Sequence, residues 1–317
     1  MKFSYTQRTF LITLILLSGF LLQAQTKSLQ SSPFLVHANG SEVGVSEERL
    51  ARIDSMCLAA IEDGDIPGVV ALVARNGKIV YHKAFGTSDA KSKRTLRRDD
   101  IFRMASQTKA ITATAVMMLW EEGRFQLDDP ISKYIPEFNN PQVLDSVLVD
   151  GTFLTKPADK EISIRHLLTH TSGIGYGFIE DRYNALVIKN KVSEGFCEDN
   201  RTSLENTKKI ANLPLLTNPG EKYIYGMSYD VLGTLIEVIS GLRYDKYITK
   251  HILSPLEMNN SFFIIPASER NRLGEVYEPT SNGQNLKLTS YHDINYPIIE
   301  DKQFFSGGAD LSSTAEV

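Results

Sequence analysis

The chain has 317 residues, 42% hydrophobic and 23% charged, with a formal net charge of −4. These are ordinary values for a globular protein of one or two domains with a sizeable buried core. The mild acidity gives no reason to expect nucleic acid or an anionic membrane surface as partner. At the N-terminus, Lys2 and Arg8 precede the apolar run Phe10 to Leu22, and Leu22-Gln23-Ala24 follows. This pattern predicts a secretory signal peptide over residues 1–24, too short in its apolar stretch for a spanning helix, and hence a periplasmic or secreted protein. No cysteine lies near the cleavage site to support lipid anchoring. Cleavage after Ala24 removes two of the 34 basic residues and none of the 38 acidic ones, leaving a charge of −6. Residues 25–44 are polar and Ser-rich, which predicts a flexible leader.

From Ser46 the pattern becomes regular. Ser46 can cap a helix whose positions Leu50, Ile53, Cys57, Ala60 and Ile61 follow helical spacing. The β-branched runs Val69 to Arg75 and Lys78 to Ala84 flank Asn76-Gly77, a hairpin signal. Ser106 through Trp120 reads as a long helix, apolar or small on nearly every face and stopped at Gly123, which predicts a place in the middle of a domain. Residues 144–158 and 184–200 show no clean period and read as surface insertions. Ser163 caps a predicted helix from Ile164 to His170, broken by Thr171-Ser172-Gly173. Gly173-x-Gly175-x-Gly177 superficially matches a phosphate loop but follows a helix rather than a strand, so it reads as a flexible loop near a cleft. Tyr229 to Ser240 is helical, with Gly241 in the stop position. Ser312, Ser313 or Thr314 reads as the N-cap of a helix just starting at the chain end, the pattern of a truncated domain.

Within this frame, Ser106-Gln107-Thr108-Lys109 opens the long helix. A serine and a lysine three apart share one helix face. That pairing suits a nucleophilic hydroxyl whose proton passes to a neighbouring amine. The helix N-terminus favours a developing alkoxide, and burial favours the neutral amine. Ser88-Asp89-Ala90-Lys91 repeats the spacing in a polar stretch with no apolar helix behind it and reads as chance. Asn218-Pro219-Gly220 turns the chain ahead of Tyr225, whose hydroxyl could be aimed into a cleft. Cys57 reads as a buried free thiol, whereas Cys197 lies in an acidic loop. No Cys/His cluster has metal-ligand spacing and His-Glu-x-x-His is absent, so neither a zinc site nor any other metal or organic cofactor is expected. His166, His170 and Arg103 read as capping and packing residues.

Taken together, these segments resemble the serine β-lactamase and penicillin-binding-protein superfamily, above all its class C-like and esterase branch. Its Ser-x-x-Lys motif falls on Ser106 and Lys109, and its Tyr-x-Asn motif on Tyr225-Gly226-Met227. Ile66-Pro67-Gly68, Phe102-Arg103-Met104-Ala105, Leu127-Asp128-Asp129-Pro130, Tyr134-Ile135-Pro136, His166 to Gly173, Asn218-Pro219-Gly220 and Phe305-Ser306-Gly307-Gly308 follow in family order. The resemblance implies an α/β (α+β) fold: an antiparallel sheet flanked by helices, with an inserted helical region. One domain over 45–317 is expected: a sheet and helix part at 45–100, a mostly helical region at about 101–265, and a return toward the sheet at 266–317. It implies a serine acyl hydrolase forming a Ser106 acyl-enzyme with Lys109 and Tyr225 as its bases. The substrate would be a small ester, amide or β-lactam, or a cell-wall peptide. Met227, at the substrate-binding asparagine's place, cannot donate an amide hydrogen bond and argues against efficient β-lactam turnover. The third family motif, a Lys-Thr-Gly or His/Trp-x-Gly triplet, is not in the sequence, which implies missing C-terminal strands and a doubtful activity for this fragment. A D-amino-acid peptidase, a β-lactamase and a non-catalytic truncated binding domain are the alternative readings.

Overall fold

The structure, a computed structural model, describes residues 35–89, 93–147, 153–280, 286–289 and 294–316. The signal-peptide expectation lies outside these residues, as do Ala90 and Lys91 of the second Ser-x-x-Lys copy. Among the described residues no helix is long and apolar enough to cross a membrane. Two compact units emerge, one from the N-terminal part through Ile53 with Leu72–His82, the other from Asp54–Ala71 with the chain from Lys83 onward.

The strand β1 (Val36–His37) pairs in parallel with β3 (Lys78–Gly86), and β3 also pairs with β2 (Gly68–Arg75). Thus part of the stretch read as a flexible leader is a paired strand. Asn76 and Gly77 join β2 to β3 with φ values of 52° and 73°, the doubly left-handed turn that matches strand twist. The helix α1 (Glu47–Glu62) starts where Ser46 Oγ accepts the Arg49 N–H at 3.3 Å. Its tail, in the second unit, buries Cys57, which is unpaired, as is the buried Cys197.

Helices dominate the second unit. The helix α2 (Thr108–Glu121) packs against α6 (Ser228–Ser240), which also touches α3 (Ile164–Leu168), α5 (Ser203–Ala211) and α7 (Tyr244–Ile248). Ala115, Val116 and Leu119 of α2 meet Val231, Leu232, Leu235 and Ile236 of α6 in one core. Each fully buried leucine or isoleucine there contributes about 1.5–3 kcal/mol. The core is one-sided on α2, in contrast to the expectation of a helix covered all round. Ala110 and Thr114 are exposed and Trp120 is partly so, because Thr108, Lys109, Thr112, Ala115, Val116 and Leu119 form the buried stripe.

Three other expectations are corrected. The strands β5 (Gln142–Val147) and β6 (Phe153–Pro157) pair antiparallel, and a bulge between Leu144 and Ser146 breaks the alternation that would have revealed them. Residues 181–189 form α4 (Asp181–Lys189), whose Tyr183, Leu186 and Val187 enter the core, so this is no surface insertion. A short hairpin, β7 (Tyr277–Pro279) with β8 (Leu286–Leu288), follows later. Finally, β9 (Ser312–Ser313) is a buried strand rather than a helix cap. It pairs antiparallel with β4 (Phe102–Arg103) on one side, and Ser312 exchanges backbone hydrogen bonds with Phe262 on the other. Ser313 shares a hydroxyl hydrogen bond of 2.8 Å with Ser261, so its side chain serves the strand rather than a cap.

Candidate active site

The chain enters α2 through a single tight turn at Ala105–Gln107. Ala105 has a φ of 44°, a left-handed conformation that costs an L-residue about 1–3 kcal/mol. It is held by the neighbouring Met104 N–H, which donates to Leu311 O at 2.8 Å. The turn lifts Ser106 into solvent while Lys109, one turn on, points inward and is 8% exposed. Lys109 Nζ lies 3.1 Å from Ser106 Oγ and donates to Gly308 O at 2.7 Å. The Ser106 Oγ also shares a 2.5 Å hydrogen bond with Tyr225 OH. Lys109 Nζ is 5.0 Å from the Tyr225 ring centre and 5.8 Å from that of Tyr176. Hydroxyl, amine and phenol therefore meet, the arrangement that the family resemblance implies.

Tyr225 is delivered by an extended piece between Asn218-Pro219-Gly220 and α6. Gly220 N–H bonds to Thr171 O and Ile224 N–H to His170 O, both at 2.7 Å, which fastens this piece to the chain after α3. Gly226 has no room for a side chain, since a Cβ would sit 2.1 Å from Ile174 O. The glycine-rich segment is correspondingly packed rather than flexible. A Cβ on Gly173 would meet Thr217 O at 2.3 Å, and one on Gly175 would meet Leu216 Cδ1 at 2.4 Å. That packing carries Tyr176 to the site. Glu194 accepts the Gly177 N–H beside it, and burial pushes the Glu194 carboxyl above its usual range.

Met227 is the exception among the expected site residues. It is 0% exposed and lies in the hydrophobic core at the start of α6, so it offers no surface to a substrate. The apolar side chain is what that core position requires. A different residue borders the site. His170 packs its ring 4.9 Å from Tyr225 and 5.0 Å from Tyr229. Burial first, and the Lys109 charge second, lower its pKa to about 4, so the imidazole is neutral at ordinary pH. His166 completes a capping box with Ser163, the role read from the sequence, whereas Arg103 donates to the loop carbonyls Ile294 O and Gly274 O at 2.8 and 2.9 Å rather than to a helix.

Rings extend the site in both directions. Phe178 stacks on Tyr176 at 4.7 Å, Tyr176 meets Tyr225 edge-on at 5.4 Å, and His170 meets Tyr223 at 5.7 Å. The two ends of this band are open, Phe178 being 60% and Tyr223 66% exposed. The sequence did not reveal Tyr176 or the buried hydrogen bond from Ser306 to Asp230. The signal for Asp230 was available: an acidic residue followed by Val231 and Leu232 on an apolar helix needs a buried partner.

Comparison with known proteins follows the same lines. The family model described as Beta-lactamase matches residues 53–316. Esterase EstB of Burkholderia gladioli is 33% identical over 250 residues, covering 79% of this chain and 59% of the relative. The chain thus spans less than two thirds of that relative's length. Among solved structures, EstCE1, "a hydrolase with promiscuous acyltransferase activity", superposes with a TM-score of 0.71 at 26% identity, over 84% of this chain and 69% of its own. The octameric penicillin-binding protein homologue from Pyrococcus abyssi gives 0.62 at 26%, over 84% and 53%.

Proposed function

We propose that this chain, which belongs to the beta-lactamase family, is a serine acyl hydrolase that works through an acyl-enzyme on Ser106. The observation that carries the reading is the three-way contact of Ser106 Oγ with Lys109 Nζ and Tyr225 OH, at 3.1 and 2.5 Å. In the first step Ser106 Oγ attacks the carbonyl carbon of an ester, and its proton passes to the Lys109 and Tyr225 pair. Collapse of the tetrahedral intermediate breaks the bond to the alcohol oxygen, which takes that proton back. Water then attacks the acyl-serine by the reverse proton path and releases the acid. The Ser106 N–H, at the positive end of α2, is the chain's own donor to the oxyanion.

The aromatic band supports an uncharged, apolar acyl or alcohol group as substrate. It presents ring faces on either side of Tyr225, with Lys109 turned inward beneath them. Ester chemistry is favoured over β-lactam or peptide chemistry because Met227 is buried where the resemblance places an amide donor. EstB, by its name an esterase, agrees with that choice. Export through the residues 1–24 signal belongs to the same reading, and a secreted product whose mass begins at Gln25 would support it.

The test is hydrolysis of p-nitrophenyl butyrate against nitrocefin and a D-alanyl-D-alanine peptide. Ester hydrolysis that disappears in Ser106→Ala supports the proposal. Turnover of the peptide or nitrocefin in preference to the ester would replace it with one of the alternative activities.

A further inference from the structure

Behind Lys109 lies a buried polar assembly to which the acyl-transfer steps assign no part. Asp230, on the first turn of α6, is buried together with Ser306, Lys302 and Asp310. The Ser306 hydroxyl accepts the Gly308 N–H at 3.0 Å, which leaves its own proton to be donated to Asp230 Oδ1. Ser306 N–H donates to Asp310 Oδ2 at 3.0 Å, and that carboxylate is paired with Lys302 at 2.6 Å. The turn from Ser306 to Asp310 is therefore pinned at its start by two carboxylates, Asp230 of α6 and Asp310 at the turn's own end. Gly307 sets its depth, since a Cβ there would sit 2.2 Å from Tyr229 O. The turn meets α2 through two carbonyls: Gly307 O accepts from Thr112 Oγ1 at 2.6 Å, and Gly308 O accepts from Lys109 Nζ at 2.7 Å, closer than the 3.1 Å between Nζ and Ser106 Oγ.

An amine that takes a proton from a hydroxyl must present its lone pair to it. With one N–H directed to a fixed carbonyl, rotation about the Cε–Nζ bond is restricted and the lone pair can be held toward Ser106. We propose that Ser306 and Asp230 are positioning residues that act through the Gly308 carbonyl to aim Lys109 at Ser106. The proposal rests on the reading of Ser106 as nucleophile. Neither residue touches substrate. Asp230 serves by accepting the Ser306 proton, and Ser306 by fixing the peptide group before Gly308.

A double-mutant cycle separates this role from simple packing. Fluorophosphonate labelling is followed by intact mass in wild type, Ser306→Ala, Lys109→Ala and the double variant, with melting temperatures measured alongside. The ester kcat and KM are measured for wild type and Ser306→Ala. Ser306→Ala is expected to slow labelling and lower kcat about ten- to hundredfold with KM within about twofold, the scale of a misplaced catalytic group. In the Lys109→Ala background the same substitution is expected to change labelling less than about twofold. Wild-type labelling in folded Ser306→Ala would overturn the proposal, and so would equal effects in both backgrounds. Should Ser306→Ala fail to fold, Asp230→Asn, which keeps the side chain's shape, carries the same cycle. Loss of folding in both would make the pair a structural lock and overturn the proposal. Labelling that persists in Ser106→Ala would instead remove the nucleophile on which the proposal rests.

Discussion

Three atoms carry the proposed chemistry, Ser106 Oγ, Lys109 Nζ and Tyr225 OH. Tyr225→Phe removes the hydroxyl 2.5 Å from Ser106 Oγ while keeping the ring against His170 and Tyr176. It should lower kcat by about 10²–10⁴, the usual range for a positioned proton-transfer group, with little change in melting temperature. Met227→Leu should behave oppositely. A volume-conserving swap in the core costs less than about 1.5 kcal/mol, and kcat/KM should stay within twofold; a large change in KM would return Met227 to the substrate. His170 supplies the pH prediction. Its pKa is lowered from 6.5 to about 4 by burial and then by Lys109, so between those values the unfolded chain binds a proton that the folded chain refuses. Its neutral form therefore supports the fold above about pH 6.5, and that support is lost as the pH falls toward 4. At φ 53° asparagine is well tolerated, so His170→Asn should show a shallower fall in melting temperature across that window than wild type. An equal fall in both would contradict this. At this scale the contact between Ser106 and Lys109 was legible because spacing on one helix face is local. Met227's burial, and the Asp230–Ser306 contact, join residues that only the tertiary fold brings together.

Elements place those atoms by close backbone approach. Gly226→Ala must push its Cβ against Ile174 O, 2.1 Å away, and Tyr225 precedes it directly. The expected result is a loss of kcat of more than tenfold together with a lowered melting temperature. Gly241→Ala, at φ 71° past the end of α6 and with nothing within 4 Å of the new Cβ, should cost only about 1 kcal/mol and leave kcat intact. Equal effects on kcat would show that the Gly226 contact does not position Tyr225. Helix ends were readable for the same reason the Ser106–Lys109 spacing was: Ser46, Ser163, Gly123 and Gly241 act on their immediate neighbours. The β2–β3 hairpin was readable from Asn76-Gly77, but β5 and β9 were not. A bulge hid β5 from its alternation, and β9 is two serines whose local preference for a cap is overridden by pairing with β4 and Phe262.

At the scale of the whole molecule, the second unit is organised around α2, buried along one stripe, and α6, buried at every position from Ser228 to Ile236. Ser106 and Lys109 start the first helix, and Tyr225 and Asp230 flank the start of the second. The ordered family blocks made this fold legible from residues 46 onward, because several weak matches in the right order constrain topology more than any one motif. Their spatial convergence on the Ser306–Asp310 turn was not legible, since it depends on contacts between segments more than 70 residues apart, such as Ser306 with Asp230. The claim on which everything turns is that Ser106 is a nucleophile activated by its two neighbours. Intact-mass measurement after incubation with a fluorophosphonate tests it most directly. The account predicts one stoichiometric adduct on Ser106, absent in Ser106→Ala and at least tenfold slower to form in Lys109→Ala. An adduct that persists in Ser106→Ala, or that forms at the wild-type rate without Lys109, would contradict it.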